Sequence, residues 1–355
     1  MTRKTSDTEN HAKKMPHPLK ILYFLIGLLI AGGALYWVLR NFELDKFIRI
    51  VDQADLKFLI LVPISLALQQ LVRSLKWKHI LSPLRTVSAF RLFTAIMAGY
   101  FANMIIPFAP SPLIRSWLVG KRYDVPMGSV LATSAIDRFI DGLIFSLMVA
   151  FTLINATLPD PDGQIKSSLF LGSIGSGLLF FGLIVMLIAL KRRKPRAWQW
   201  VARLINRLPN KISTAITAFT HSFPAGIVWP KQPWRWCVII ISGFALKAIA
   251  ATHFLWAGLA FGIVLAPLDY IYIVVLLGLL GFINHLVRVP GGYFIGNIYI
   301  LGLFGLSEEQ SLALAFIVHT STLLTLVVIG GISLWQSGVA IKDIKNITAK
   351  PEIAS

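Results

Sequence analysis

Asp137, Arg138 and Asp141 stand at spacings that put the two carboxylates on one helix face, with Arg138 three residues from Asp141. They open an apolar run, and apolar sequence already begins near Val125. Ionisable groups at membrane depth are expensive and are usually functional. The alternative is a cytoplasmic helix start, where Asp137 would meet the favourable end of the helix dipole. Upstream, Pro107, Pro110 and Pro112 break another apolar run, and Arg115 follows the break. Each proline removes a backbone donor and turns the preceding residue away from the helical region. A guanidinium in that setting binds phosphate or carboxylate through paired hydrogen bonds. If a short helix begins near Leu113, its free amides add to the same anion site. The alternative is an arginine whose head reaches back to lipid headgroups.

Arg288 beside Pro290-Gly291-Gly292 repeats the device, since glycine permits close backbone approach; a plain cytoplasmic turn is the competing reading. Asn103 and Asn297 are polar groups on apolar helices, candidates for headgroup contact or for bonds between helices. Lys247, His253, His285 and His319 are candidate counter-charges or proton relays. No Walker loop, His-Glu-x-x-His or Gly-x-Ser-x-Gly occurs, so neither an enzyme nor a cofactor is expected. These groups point to binding and moving an anionic amphiphile.

The elements that hold them must cross a membrane. Hydrophobic residues make up 56% of the chain and charged residues 14%, against about a quarter charged in soluble domains. Several apolar runs reach the roughly 20 residues that a bilayer requires. The pattern predicts an all-α polytopic membrane protein of about six to eight transmembrane helices, with one or two re-entrant broken-helix hairpins. Residues 1–19 form a basic tail expected to be disordered, 20–335 the membrane domain and 336–355 a C-terminal tail. Spans are expected at about 20–39, 58–75, 136–156, 168–190, 237–261 and 311–335. The first reads as an uncleaved signal anchor.

Arg73, Lys76, Lys78, Arg85 and Arg91 mark a cytoplasmic flank, as do Lys121 and Arg122. With basic residues on both sides, 89–120 must enter the bilayer and return. Residues 268–306 either do the same from the opposite side, with the tip at Pro290-Gly291-Gly292, or cross twice. Residues 191–236 read as a cytoplasmic interfacial segment, with Trp198, Trp200, Trp229, Trp234 and Trp236 at headgroup level; a solvated linker is the alternative. Both termini are placed in the cytoplasm, in the cell inner membrane. The net charge of +18 lies between apolar runs, where it fits membrane orientation, and no nucleic-acid partner is expected. Cys237 is the only cysteine, so there is no intrachain disulfide.

These residues resemble the flippase-like transmembrane region of lysylphosphatidylglycerol synthases and their stand-alone relatives. The likeness covers about 20–335. It rests on Arg73 with Lys76-Trp77, Gly99-x-x-x-Asn103-x-x-x-Pro107 leading to Arg115, Asp137-Arg138-x-x-Asp141, and Pro290-Gly291-Gly292. The resemblance implies broken membrane helices and lipid translocation between leaflets. The family's Pro-x-Arg-x-Gly-Glu-x-x-Arg pattern here carries Ala109, Ser111 and Pro112 in place of its Arg, Gly and Glu, and keeps Arg115. A Glu is usual where Asp137 stands; Asn297 and His319 replace an acidic and a basic residue. The synthase's soluble transfer domain is absent, so lysyl transfer is not expected.

The reading is therefore a translocase for an anionic or polar lipid, with Arg115, Arg288, Asn103, Asp137, Arg138 and Asp141 at the substrate. The competing one is a non-transporting membrane partner that positions a lipid-modifying enzyme. Membrane-embedded transferase chemistry ranks last. Membrane lipids are the expected partners, with a lipid-modifying enzyme or a second copy of the chain as further options. The hairpin tip is testable by cysteine labelling. Ala109→Cys should resist an impermeant periplasmic reagent, and strong labelling there would mean an ordinary exposed loop.

Overall fold

The computed structural model describes residues 44–106, 110–155, 164–192, 222–287, 291–339 and 342–344. Every regular element among them is helical: α1 Leu44–Asp52, α2 Leu56–Leu81, α3 Ala89–Ile105, α4 Ser111–Tyr123, α5 Met127–Asn155, α6 Gln164–Arg192, α7 Pro233–Ala260, α8 Pro267–Val287, α9 Gly292–Gly302 and α10 Glu308–Thr325. A π-helical turn, Leu326–Gly330, joins α10 to α11, Gly331–Gln336. The starts are set locally. The Asp55 carboxylate accepts from Lys57 N at 2.9 Å, which satisfies an orphan donor of α2. Ser307 and Gln310 form a reciprocal capping box on α10. Pro233 opens α7, where its missing N–H costs nothing.

Among the described residues, four stretches are long and apolar enough to cross a membrane: Leu56–Leu81, Leu169–Ala189, Pro233–Ala260 and Glu308–Gln336. They coincide with the spans expected at 58–75, 168–190, 237–261 and 311–335. The one expected at 20–39 lies outside the described residues. The one expected at 136–156 is the later part of a 29-residue helix that starts at Met127. Asp137, Arg138 and Asp141 therefore sit well inside α5, not at a helix start. The expected boundary followed the apolar run, whereas the helix begins earlier, where Pro126 O accepts from Ser129 N at 2.9 Å.

The frame is an antiparallel pair. Asp55 N donates to Ala260 O at 2.9 Å, Gln69 Nε2 donates to Leu246 O at 3.0 Å, and His79 meets Trp234 with ring centroids 5.1 Å apart. So α2 and α7 run the length of each other in opposite directions. Against them fold two broken hairpins. Arg91 NH1 lies 3.3 Å from Tyr123 OH, and Gly99 faces Ser111 and Arg115, so α3 and α4 are antiparallel across the proline break. A Cβ on Gly99 would stand 3.1 Å from the Ser111 carbonyl oxygen; glycine permits that approach. Likewise Gly296 on α9 meets Leu280 on α8. Helix α4 has 13 residues and α9 has 11. At 1.5 Å per residue neither covers the roughly 30 Å hydrocarbon core by itself.

Buried apolar side chains form two large clusters. One joins α2, α3, α4 and α5 around Trp77, Leu92, Ile96 and Ile136. The other joins α2, α7, α8 and α10 around Val62, Phe254, Ile273 and Leu314. Helix α6 packs on α5, with Ser146 and Ser176 hydroxyls 2.8 Å apart. Its other faces expose Leu171, Leu178, Leu179 and Phe181, as a lipid-facing helix would.

The later part of the segment expected at the membrane interface packs on the helices. Residues 193–221, with Trp198 and Trp200, lie outside the described residues. Beyond them Ile227 is fully buried, and Ser129 Oγ donates to Ser222 O at 2.7 Å. Trp229 stacks on Trp236 at 5.7 Å and packs on the core, while Trp234 is exposed. Two of the tryptophans expected at the headgroups therefore serve as packing.

Gly330 tests how the last helix is seated. Alanine is the better helix former by about 1 kcal/mol, yet its Cβ would fall 2.7 Å from Phe101 Cβ and 2.8 Å from Met97 O. Overpacking of this kind costs about 1–3 kcal/mol. Gly330→Ala should lower the melting temperature of the detergent-purified protein. Gly182→Ala, with nothing within 4 Å, should leave it level or raised.

Candidate functional site

Two residues on one face of α2 meet two on one face of α5. Lys76 Nζ lies 2.9 Å from Asp137 Oδ1 and also contacts Asp141 Oδ1. Arg73 NH1 lies 3.1 Å from Asp141 Oδ2. From α4, Arg115 NH2 approaches Asp137 Oδ2 to 3.5 Å. Its guanidinium lies over the Trp77 ring, 4.7 Å from the centroid. Trp77 Nε1 is fixed by donating to Thr133 Oγ1 at 3.0 Å. Arg138 points from α5 toward α3, where its NH2 donates to Tyr100 OH at 3.4 Å. Lys247 on α7 lies within electrostatic range of Asp141, Arg73, Lys76 and Arg138, with its Nζ 4.7 Å over the Phe145 ring. Lys76 and Asp137 are fully buried, and Arg115 is 1% exposed.

The site is short of acceptors and of negative charge. Arg115 Nε, NH1 and NH2 are all buried without a hydrogen-bond acceptor. The Asp137 oxygens contact cations but are in hydrogen-bond geometry with no donor. A buried donor left unmade costs about 1–3 kcal/mol, more when charged. Four cations, Arg73, Lys76, Arg115 and Arg138, face two carboxylates, Asp137 and Asp141. That surplus of positive charge in a low-dielectric setting calls for an anion. Among the described residues, no three His, Cys, Asp or Glu side chains converge as metal ligands would.

The structure brings together Arg115, Asp137, Arg138 and Asp141 of the residues expected from sequence. It changes one pairing: Asp141 binds Arg73 and Lys76, while Arg138 turns to Tyr100. It also moves Arg73 and Lys76, read above as cytoplasmic flank charges, into the site. Their basic type suggested a membrane edge, but carboxylates more than sixty residues away hold them inside. The usable signal was geometric, since Arg73 and Lys76 are spaced to share one helix face, as Asp137 and Asp141 are. Trp77 and Tyr100 were not singled out for the site, and an aromatic on an apolar helix gives no warning of such a role.

Pro110 caps α4 in extended backbone and Pro112 lies in its first turn. Gly291, with φ +71°, caps α9, which opens at Gly292. Pro107, Arg288, Pro290 and the His285 side chain lie outside the described residues. Asn103 is exposed on the last turn of α3. Asn297 is buried on α9 and donates to Tyr293 O at 2.8 Å, four residues back on the same helix, and not to the ion cluster. His319 packs against the Tyr293 and Phe294 rings, and His253 is buried on α7.

The family model described as the lysylphosphatidylglycerol synthase TM region matches residues 24–330. A "UPF0104 membrane protein" of Methanocaldococcus jannaschii is 25% identical over 138 residues, 38% of this chain. The matching stretch spans 41% of that relative's length. No solved structure matches the chain.

Removing Lys76 should expose the cost of the buried charge. Lys76→Met leaves Asp137 with one distant partner, and such losses cost about 3–5 kcal/mol. Denaturation of the purified protein should show that loss. Adding Asp137→Asn should restore part of it; a strictly additive double variant would mean that the two groups do not interact.

Proposed function

The chain belongs to the family of the lysylphosphatidylglycerol synthase transmembrane region, and from that premise we propose that it moves an anionic lipid between membrane leaflets. The carrying observation is the buried guanidinium of Arg115, without an acceptor, in a cluster with more cations than carboxylates. A phosphate oxygen pair matches its fork of donors. An arriving headgroup phosphate would compete with Asp137 for Arg115. Asp137 would remain neutralised by Lys76, so no carboxylate is stranded during the exchange. Tyr100 and Arg138 offer a second set of donors one helix away. The exchange of partners, phosphate for carboxylate, is what would couple binding to a shift of α4 against α5.

The α3–α4 hairpin supports this reading, because a short helix whose N-terminus stops inside the protein presents a charge at depth without crossing. In transporters such broken helices surround the substrate. We take the α3–α4 pair as a re-entrant hairpin that turns at membrane depth, and α8–α9 as a second. One end of the molecule carries Lys78, Arg85, Arg91, Lys121, Arg122, Lys231 and Arg235. By the positive-inside rule we take that end as cytoplasmic, with the protein in the inner membrane. The sequence has no nucleotide-binding loop, so translocation runs down a gradient or with an ion.

Purified protein in liposomes with fluorescent phosphatidylglycerol, quenched by dithionite, measures this directly. The intact protein should accelerate loss of inner-leaflet label over empty vesicles. Arg115→Gln should slow it about tenfold or more, equivalent to about 1.4 kcal/mol, with its melting temperature checked alongside. Arg115→Lys keeps the charge but not the fork and should fall between. Rates equal to empty vesicles across anionic headgroups, or wild-type rates in Arg115→Gln, would overturn the proposal.

A further inference from the structure

A cavity of about 690 Å³ opens at the basic end, between α3, the C-terminal half of α4 and the end of α11. It is separate from the ion cluster. Lys121 lies six residues beyond Arg115 on α4, about 9 Å along the helix axis. The charged side chains that line it are Arg91, Lys121 and Arg122, and no carboxylate is among them. Two of these cations are held in place. Arg91 NH1 lies 3.3 Å from Tyr123 OH, and Lys121 Nζ lies 5.1 Å over the Trp117 ring. The last carbonyls of α11 are engaged at the helix end itself. Ser333 O and Leu334 O accept from Ser337 N, and Trp335 O accepts from Gly338 N.

Deeper in, the wall turns apolar, with Ala95 and Ala98 on α3 and Leu118 and Val119 on α4. The two alanines, buried at 8% and 0% exposure, leave the space that larger side chains would fill. Cations at the mouth and hydrocarbon within match an amphiphile, not a bare ion. The volume falls in the range that holds a small organic ligand, about 300–1,000 Å³. Three cations without a carboxylate favour a head of more than one negative charge, such as a phosphate monoester at about −1.5 to −2.

We propose that this cavity is a second anion site, binding an amphiphile with a phosphate-monoester head through Arg91, Lys121 and Arg122, with its chain against Ala95, Ala98 and Leu118. As a binding site it stands independently of translocation. As the position from which a headgroup passes along α4 to Arg115, it rests on the translocase reading.

Full-length protein in phosphatidylcholine nanodiscs is titrated with dihexanoyl phosphatidic acid, dihexanoyl phosphatidylcholine and glycerol 3-phosphate, and binding is read by tryptophan fluorescence. The acid should bind saturably, and at least tenfold more tightly than the other two. The paired substitution Lys121→Gln with Arg122→Gln, both on exposed side chains, should weaken it at least tenfold. Thr94→Trp, which fills the cavity, should do the same. Arg115→Gln should keep this binding while losing transport. Equal affinity for glycerol 3-phosphate would make it a site for free phosphate esters and overturn the amphiphile assignment. Equal affinity for phosphatidylcholine, or indifference to the paired substitution, would overturn the site itself. Failed translocation with this binding intact would count against the translocase reading alone.

Discussion

The rest of the molecule is arranged around a carboxylate with no water. Asp137 is fully buried in the middle of α5, where an unpaired charge would cost several kcal/mol. It tolerates that position because Lys76 arrives from α2 and Arg115 from α4. Arg115 pairs with this carboxylate, while Lys76 is shared between it and Asp141. Three helices are thereby fixed in one register, since sliding any of them by a turn would strand a charge in an apolar core. Trp77 adds a face for the guanidinium and is itself tied to Thr133 on α5.

The pairing is incomplete, and that incompleteness is what supports reading it as a site and not only as a clasp. A structural ion pair would leave few donors spare. Here the whole Arg115 guanidinium lacks an acceptor, and Arg73 and Arg138 stand within reach of the same carboxylates and of Tyr100. The surrounding architecture protects the arrangement without closing it. The long α2–α7 pair supplies a rigid wall, and α6 lies on the perimeter. The broken hairpin α3–α4 presents its short helix to the site from one end. Gly99 lets the two arms of that hairpin approach closely, so the position of Arg115 depends on a residue with no side chain.

Legibility in the sequence followed the range of each interaction. The proline break was visible because Pro107, Pro110 and Pro112 act on their own backbone and their neighbours. Arg115, Asp137 and Asp141 stood out because they interrupt apolar sequence, and hydropathy is a local property. The family likeness carried Arg73 and Lys76-Trp77 as marks without saying what they touch. Their misplacement at the membrane edge was a failure of range, since basic side chains at the end of an apolar run look alike whether they face headgroups or a carboxylate. Trp229 and Trp236 failed in the same way: their type fits an interface belt, but each found the other and the core. The start of α5 was misjudged because the apolar run, and not the helix, was being measured.

By itself the sequence determined the environment and the local breaks: an all-helical chain for a membrane, interrupted at prolines and glycines, with a few charges inside apolar runs. Those follow from solvation and backbone sterics, which act residue by residue. The tertiary structure decided which charges neutralise which, that Arg138 turns away from Asp141, and that one guanidinium is left without an acceptor. Such outcomes depend on which helices lie side by side, and that choice is made by packing and by the cost of a buried charge, summed over residues far apart in the chain.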